Sequence, residues 1–273
     1  MGDDDWVRIR TAPPSDEVVQ ARVRQRQINA ENEASVRVRI DAHLKTVEAV
    51  LDTLRDQHQT LLERTDFDPL QKTRQGAAWL LAGRCLSLGY AVVASLRAGL
   101  TTDVAPLVRT LHEACGALRI LLDSHESELH RRWLKNGYFK AKDLQQAQKR
   151  IEDRAAADML KQGVKPPGRT DELDHDLYDQ WSRIAHNRRS SILESYDTNL
   201  REFSYGAHAD PLRRGVWVGY GTQVVHEVTA TVGLALSKFY GPEVWAARVE
   251  PAISALDRVQ RESPLDPDAL GFA

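Results

Sequence analysis

The segment Ala77–Leu96, AAWLLAGRCLSLGYAVVASL, is the most apolar stretch of the 273-residue chain. As a helix it is long enough to cross a membrane, but Arg84 interrupts the apolar run. The small residues Gly83 and Gly89 would let neighbouring helices approach it closely. The pattern therefore predicts a central helix that is buried within the protein rather than a segment that spans a membrane.

A second apolar helix is expected soon after this one. The segment Leu107–Asp123, LVRTLHEACGALRILLD, repeats its apolar residues with helical spacing. Gly99 is typical of a residue that ends a helix, and Thr101 or Thr102 is a suitable N-cap for the next. Together the two helices are predicted to form the core.

A long helix is expected to precede this core. Ser15 is a favourable N-cap, and Asp16 and Glu17 complement the positive end of the helix dipole. Further along, apolar residues recur every three or four positions, as in a helix that packs on another helix. These residues, which we call the seam, are Ile40, Leu44, Val47, Leu51, Leu54 and Leu61.

The segment before the seam, ARVRQRQINAENEASVRVR at residues 21–39, has little apolar surface of its own. It therefore either projects from the protein or packs on a partner chain. Seam and segment together offer more helix surface than one small bundle needs to cover. This surplus predicts a homodimer.

The remainder of the chain is also predicted to be helical. Residues 125–163 are amphipathic and strongly charged, and a breaker-rich connection follows at 165–176. Two helices are expected within 177–186 and 191–208. An apolar helix then runs from Arg214 to Arg261, with one break at Gly241 and Pro242.

The periodicity thus predicts an all-α fold, a multi-helix bundle with a long N-terminal helix. Its N-terminal helical segment would span residues 1–70 and its bundle residues 71–273. One continuous domain is the alternative. No segment of useful length has the alternating pattern of a strand.

The charge balance and the cysteines limit the classes of function. A formal net charge of −2 gives no general attraction to nucleic acid or to an anionic membrane, so such binding needs a local patch. Cys85 and Cys115 lie in apolar helices and are expected as buried thiols, which fits a reducing cytoplasm. The N-terminus, MGDDDWVRIR, lacks the apolar region of a signal peptide, so a cytoplasmic location is expected.

No set of metal ligands stands out in the sequence. His125 and His130 are five residues apart, about 500° around a helix, so they do not share the face that a zinc-protease helix requires. His226 precedes Glu227, but no second histidine follows at the required spacing. The acidic run at residues 171–176 is expected to be a solvated loop. We therefore expect neither a metal nor a cofactor.

Arg109 and Glu113 are charged residues within the second apolar helix. Because they are four residues apart, they lie on one face, where an ion pair can form. Burying such a pair is costly without a structural or functional return. We expect an internal ion pair that fixes the position of the helix, and a pair that faces a ligand is the alternative.

Two similar stretches, WSRIAHNR and FSYGAHAD, place Ser182 before His186 and Ser204 before His208. At a spacing of four on a helix, the hydroxyl and the imidazole can bond to each other or converge on one group. Each histidine is either structural or a general acid or base near neutral pH. Arg201, seven positions before His208, is one of several arginines that could hold an anion.

A resemblance rests on these residues. The order APLVRTLHEACGALRILLD, followed downstream by an S-x-x-x-H helix, resembles uncharacterised bacterial all-helical proteins related in pattern to the HEPN superfamily. The similarity covers roughly residues 75–240. HEPN ribonucleases are small helical bundles, usually dimeric, whose signature is arginine, four to six residues, then histidine. Arg201 and His208 meet that spacing, whereas His186 has no arginine at the required distance before it.

The resemblance implies metal-independent cleavage of RNA, or binding of RNA or a nucleotide, in a toxin or defence component. In that case His208 would transfer the proton, Arg201 would stabilise the phosphate, and His186 would be a second acid–base group. The supporting residues, which orient the imidazoles or line a ligand pocket, are Ser182, Ser204, Arg109 and Glu113.

Two other functions fit the same residues. The polar groups could belong to a non-catalytic module that binds a small ligand or a protein partner. They could also serve only to specify packing in a structural bundle. Catalysis requires His208 and Arg201 to meet a second acid–base group at one solvent-open cleft, whereas a structural role expects these residues to be buried and separate.

Overall fold

The computed structural model describes residues 14–63, 67–100, 104–163, 196–197, 202–203 and 210–270. Within these ranges the structure is almost entirely helical. The helices are α1 (Asp16–Thr60), α2 (Arg74–Arg97), α3 (Val104–Leu122), α4 (Ser127–Asn136), α5 (Ala141–Lys161), α6 (Pro211–Tyr240) and α7 (Glu250–Glu262). A 3-10 turn, Leu61–Glu63, follows α1, and a π-helical turn, Trp245–Val249, leads into α7. The prediction of an all-α bundle with a long N-terminal helix is confirmed.

Helix α1 begins and packs as its sequence predicts. The Ser15 side chain caps it by accepting a hydrogen bond from the Val18 amide, and all six seam residues are buried. All but Leu61 belong to the chain's main hydrophobic core, where α1 packs on α2, α6 and α7. The seam therefore leaves no surface for a second copy. By contrast, α1 has no buried residue before Val36.

Helix α2 lies at the centre of the core, between α1, α3 and α6. Its glycines permit the close packing that the sequence suggests, since a methyl group added at Gly89 would lie 3.1 Å from Leu51 Cδ2. By length and composition alone, α2 could cross a membrane. Half of its most apolar stretch is buried inside the protein, as in the core helix of a bundle.

Contacts between distant residues establish the directions of the helices. His43 meets Thr222, and further along both helices Tyr240 donates a hydrogen bond to the Gln57 carbonyl, so α1 and α6 run parallel. Helix α2 runs antiparallel to α1. Helix α7 turns back along α6 after the break that the sequence predicts at Gly241, whose φ of 114° lies in the region that favours glycine.

His43 links three parts of this core. Its Nδ1 lies 2.7 Å from Thr222 Oγ1 in α6, and its Nε2 lies 2.7 Å from the Ser263 carbonyl, directly after α7. Because a carbonyl only accepts, Nε2 carries the proton in the neutral ring. Burial lowers the pKa of His43, against the opposing effect of the Ser263 hydrogen bond.

An ionic network attaches α5 to the corner between α3 and α4. Arg150 binds both carboxylate oxygens of Glu126 at 2.8 and 3.0 Å. Arg154 bridges Glu126 and Asp123 at 3.2 and 2.7 Å. The Arg150 hydrogen bonds hold the pKa of Glu126 below its usual value although burial opposes this shift. The network therefore fixes α5 on this corner.

The prediction of a helix over residues 191–208 is wrong at the four positions that the structure describes there. Strand β1 (Tyr196–Asp197) pairs antiparallel with β2 (Glu202–Phe203), with Tyr196 opposite Phe203. The sequence Asp197-Thr198-Asn199 consists of residues that favour turns, a preference that the helical interpretation overlooked. The ladder is too short to change the fold class.

The buried ring of His43 predicts a specific dependence of stability on pH. A pKa lowered by folding means that the unfolded chain binds more protons, so stability falls as the pH drops from about 6.5 through the lower folded-state pKa. His43→Gln should lower the free energy of unfolding at pH 7.5 by about 1–3 kcal/mol, because hydrogen bonds are lost. Its melting temperature should fall accordingly. The variant should also lose less stability than the parent between pH 7.5 and 5.5.

Melting curves at the two pH values check this prediction. Buried His58 and His130 remain in both proteins and account for the residual pH dependence. An equal loss of stability in parent and variant would contradict the assignment to His43.

Candidate functional site

A row of polar side chains follows one side of α3, where the helix meets α6. Arg109, His112, Glu113 and Arg119 recur along it at spacings that keep them on adjacent strips of the helix surface. The opposite side of α3 is apolar and lies in the core. The row therefore lies at the edge of the α3–α6 contact, beside solvent.

Glu227 of α6 is the centre of this cluster. Its Oε2 lies 3.1 Å from His112 Nδ1, and its Oε1 lies 3.3 Å from Arg119 Nη2. Arg119 Nε also donates a hydrogen bond of 3.0 Å to Thr231 Oγ1, one turn further along α6. Only 21% of the Glu227 side chain is exposed. An imidazole and a guanidinium thus fix one largely buried carboxylate.

The ionisation of Glu227 follows from these neighbours. Burial alone would raise the pKa of its carboxyl, but the His112 hydrogen bond and the positive charges of His112 and Arg119 outweigh burial and lower it. The carboxylate is therefore ionised at neutral pH. Since an ionised carboxylate only accepts, the proton between the two groups lies on His112 Nδ1.

Arg109 and Glu113 form the ion pair that the sequence predicts, but it is not internal. Arg109 Nε lies 3.3 Å from Glu113 Oε1, and the two side chains are 29% and 45% exposed. Both side chains lie on the surface of α3 beside its buried apolar side, where the described helices cover them only in part. The expectation of a buried pair is therefore wrong, and the pair borders solvent, as the ligand-facing alternative requires.

The two cysteines lie directly behind the cluster. Cys115 of α3 and Cys85 of α2 are both free and fully buried, with their sulfur atoms 3.8 Å apart. The contact with Cys85, together with burial, raises the pKa of the Cys115 thiol well above its usual value. The prediction of buried thiols is confirmed, and the low thiolate fraction makes Cys115 a poor nucleophile.

The other predicted site residues lie outside the described part of the chain. They are His208, Arg201, His186, Ser182 and Ser204. Among the predicted residues, the described structure therefore brings together only Arg109 and Glu113. The next residue that the structure describes is Asp210. Its side chain caps α6 by accepting a hydrogen bond of 2.9 Å from the Leu212 amide.

Sequence reasoning missed the residues at the centre of the cluster. It considered Glu227 only as part of a zinc motif and passed over Arg119 and Thr231. A charged residue within an apolar helix was the available signal, because such a residue needs a partner. The sequence does not show which residue is the partner, since His112 and Glu227 are 115 positions apart.

The chemistry open to this cluster is acid–base and electrostatic. Among the described residues, no group of three or more histidine, cysteine or carboxylate side chains is arranged to hold a metal ion. Glu227 joins an imidazole and a guanidinium, and the Arg109–Glu113 pair adds a second carboxylate and guanidinium further along α3. Such a set can orient a proton-transferring ring and can bind an anion or a hydroxyl group.

Comparison with known proteins places the chain in a family. A family model described as "Family of unknown function (DUF5677)" matches residues 75–211, half of the chain. The protein belongs to the DUF5677 family. No curated protein and no solved structure matches it.

The matched residues of this DUF5677 protein extend from α2 to the first residue of α6. They include the polar row of α3 and the segment with His186, Arg201 and His208. The carboxylate of Glu227 lies beyond the match. The partner that holds His112 therefore comes from a part of the chain that the family model does not cover.

The two carboxylates of the cluster are predicted to differ in their effect on stability. Glu227→Gln should destabilise the protein at pH 7 by about 1–3 kcal/mol, because it weakens two charge-assisted contacts to a largely buried group. The stability that Glu227 contributes is present above the unfolded pKa, near 4.5, and is lost as the pH falls through the lower folded-state value. The deficit of the variant should therefore shrink below pH 4.

Glu113→Gln is the matched control, because it makes the same change at a half-exposed ion pair. Its effect should stay within about 0.5 kcal/mol, and Arg109→Ala should have a similarly small effect. Urea titrations at pH 7 and pH 4 measure both differences. Equal destabilisation by the two glutamine variants would contradict the assigned roles.

Proposed function

We propose that the protein is a metal-independent ribonuclease of HEPN-like type, or binds RNA or a nucleotide through the same residues. The observation that carries the proposal is the cluster on α3, where Glu227 orients the His112 ring and two arginines stand beside it. These are the groups that cleavage of a phosphodiester needs when no metal takes part.

The proposed reaction is an internal displacement in RNA. A neutral imidazole removes the proton of the 2′-hydroxyl, and the oxygen attacks the neighbouring phosphorus. The bond to the 5′-oxygen breaks, and a protonated imidazole donates the proton that this leaving group takes up. A guanidinium stabilises the negative charge on the phosphate oxygens in the transition state.

We assign the proton transfers to His208 and His186 and the phosphate contact to Arg201. Ser182 and Ser204 would orient the two imidazoles. Since the Arg109–Glu113 pair is half-exposed, it can line the ligand side of the site. His112, held by Glu227, would support the site from the side of the core.

Two arginines at the start of α6 lie close to these residues in sequence, and each has a carboxylate partner: Asp210 for Arg213 and Glu33 for Arg214. Asp210, two positions after His208, caps the helix, and Arg213 and Arg214 lie in its first turn. Arg213 is exposed and lies 3.7 Å from Asp210. With a net charge of only −2, the protein needs a local patch of positive charge to attract RNA, and these arginines would join it by exchanging their carboxylate partners for phosphate. We infer a bacterial toxin or defence component that acts in the cytoplasm.

A non-catalytic module that binds a small ligand is the second candidate. One observation favours it: both carboxylate oxygens of Glu227 contact groups of the same chain. A carboxylate held between two groups of its own chain can shape a pocket without taking part in chemistry, although its Oε1 makes no hydrogen bond in the described structure. In that case RNA or a nucleotide would bind without being cleaved, or would not bind at all.

The ribonuclease proposal predicts cleavage of single-stranded RNA in the presence of EDTA. His208→Ala should abolish cleavage, because the group that transfers the proton is lost. Arg201→Ala should slow cleavage by about 10²–10³-fold, as expected when a group that stabilises transition-state charge is removed. Gel analysis of a labelled RNA measures both effects, and melting curves check that the variants remain folded.

His125→Ala is the control variant, because this histidine is exposed at the turn between α3 and α4 and has no role in the proposal. It should cleave as the parent does. If the parent binds RNA without cleaving it, or if His208→Ala retains full activity, the catalytic proposal fails and the binding module takes its place.

A further inference from the structure

The polar row of α3 has a gap at its centre. Gly116 lies four positions after His112 and three positions before Arg119, so a side chain at this position would project in the same direction as the row. Gly116 has no side chain, yet it is buried. A residue of another helix therefore covers the middle of the row.

The residue that covers Gly116 is Gln148 of α5. A methyl group added at Gly116 would overlap Gln148 Nε2 and would lie 2.9 Å from its Cδ. Because Gly116 has no Cβ, the carboxamide can lie against the backbone of α3, at the level of the row between His112 and Arg119. The candidate site therefore receives a group from a third helix, α5, besides those of α3 and α6.

Contacts on both sides of Gln148 along α5 fix its position. One turn before it, Leu144 Cδ1 would lie 3.4 Å from a methyl group at Gly116, so this residue also packs on α3 there. Two residues after it, Arg150 binds both carboxylate oxygens of Glu126 at 2.8 and 3.0 Å. The backbone that carries Gln148 is thus held on α3 before any ligand binds, as a recognition residue requires.

The carboxamide of Gln148 differs in its chemistry from the groups beside it. It is neutral and carries both donors and an acceptor, whereas the Arg119 guanidinium only donates and the Glu227 carboxylate only accepts. The Gln148 side chain is partly exposed. Among the described residues, none donates a hydrogen bond to its amide or accepts one from it. Both functions of the amide are therefore available to a bound molecule.

A group that both donates and accepts is suited to reading a nucleobase. Guanidiniums can hold the phosphates of RNA, but phosphates are the same in every nucleotide and carry no sequence information. Bases of single-stranded RNA are distinguished by hydrogen bonds to their edges. We propose that Gln148 determines the base preference of the candidate site. This inference rests on the proposed binding of RNA and gives Gln148 no part in the proton transfers.

Binding of short labelled oligo(A), oligo(C) and oligo(U) RNAs, measured by fluorescence anisotropy with EDTA present, tests the proposal. The parent should bind the best of the three about tenfold more tightly than the weakest, as expected for one good base contact. Gln148→Leu should reduce this ratio to about twofold or less, because the donor and the acceptor are lost. Gln148→Glu only accepts, so it should shift the preference toward adenine and cytosine, whose amino groups donate, and away from uracil.

Gln146→Leu and Gln146→Glu are the matched controls, because they make the same changes at an exposed glutamine on the opposite side of α5. Both should keep the ratio of the parent. Gln148 variants that change the affinity for all three RNAs equally, or for none, would overturn the proposal. A parent that binds the three RNAs equally would also overturn it and leave the proposed function standing, whereas a parent that binds no RNA would overturn both.

Gly116→Ala tests the same contact from the side of α3. The added methyl group displaces the end of a flexible side chain, and alanine favours a helix more than glycine does, so the melting temperature should not fall. The displaced amide of Gln148 should no longer lie in the row. The variant should therefore lose the base preference as Gln148→Leu does. A Gly116→Ala protein that keeps the ratio of the parent would overturn the placement of the base contact at Gly116.

Discussion

Close approach of helix backbones at glycine is the constraint on which the rest of the structure depends. A methyl group added at Gly221 of α6 would overlap Leu96 of α2, and one at Gly89 of α2 would press on Leu51 of α1. Helices α1, α2 and α6 can therefore pack closely, with their aliphatic side chains in contact between them. Because close-packed interiors tolerate little added volume, a larger residue at Gly221 would separate α6 from α2.

The polar contacts between helices follow from this packing. His112 reaches Glu227 because α3 and α6 both pack on α2, and His43 reaches Thr222 because α1 and α6 lie side by side. Buried polar groups of this kind add little net stability, but they are costly when a partner is missing. They therefore select one relative position of the helices from the many that an aliphatic core would allow.

The helices could be predicted from the sequence, but the arrangement of the site could not. The Ser15 cap and the apolar spacing from Ile40 are local signals, and the structure bears both out. The exposure of the Arg109–Glu113 pair depends on which neighbours cover α3, and the partner of His112 comes from a distant helix. Neither fact has a local signal, because both arise from the tertiary arrangement.

The family match covers only part of the packed core of this protein. Residues 75–211 include α2 and α3 but exclude α1 and nearly all of α6, the helices that cover them. A polypeptide limited to that region would expose buried side chains such as Val92 and Leu96, which lie against Gly221 of α6, to water. In this chain α1 and α6 are therefore needed to keep the matched helices out of water, although the family model covers neither α1 nor most of α6.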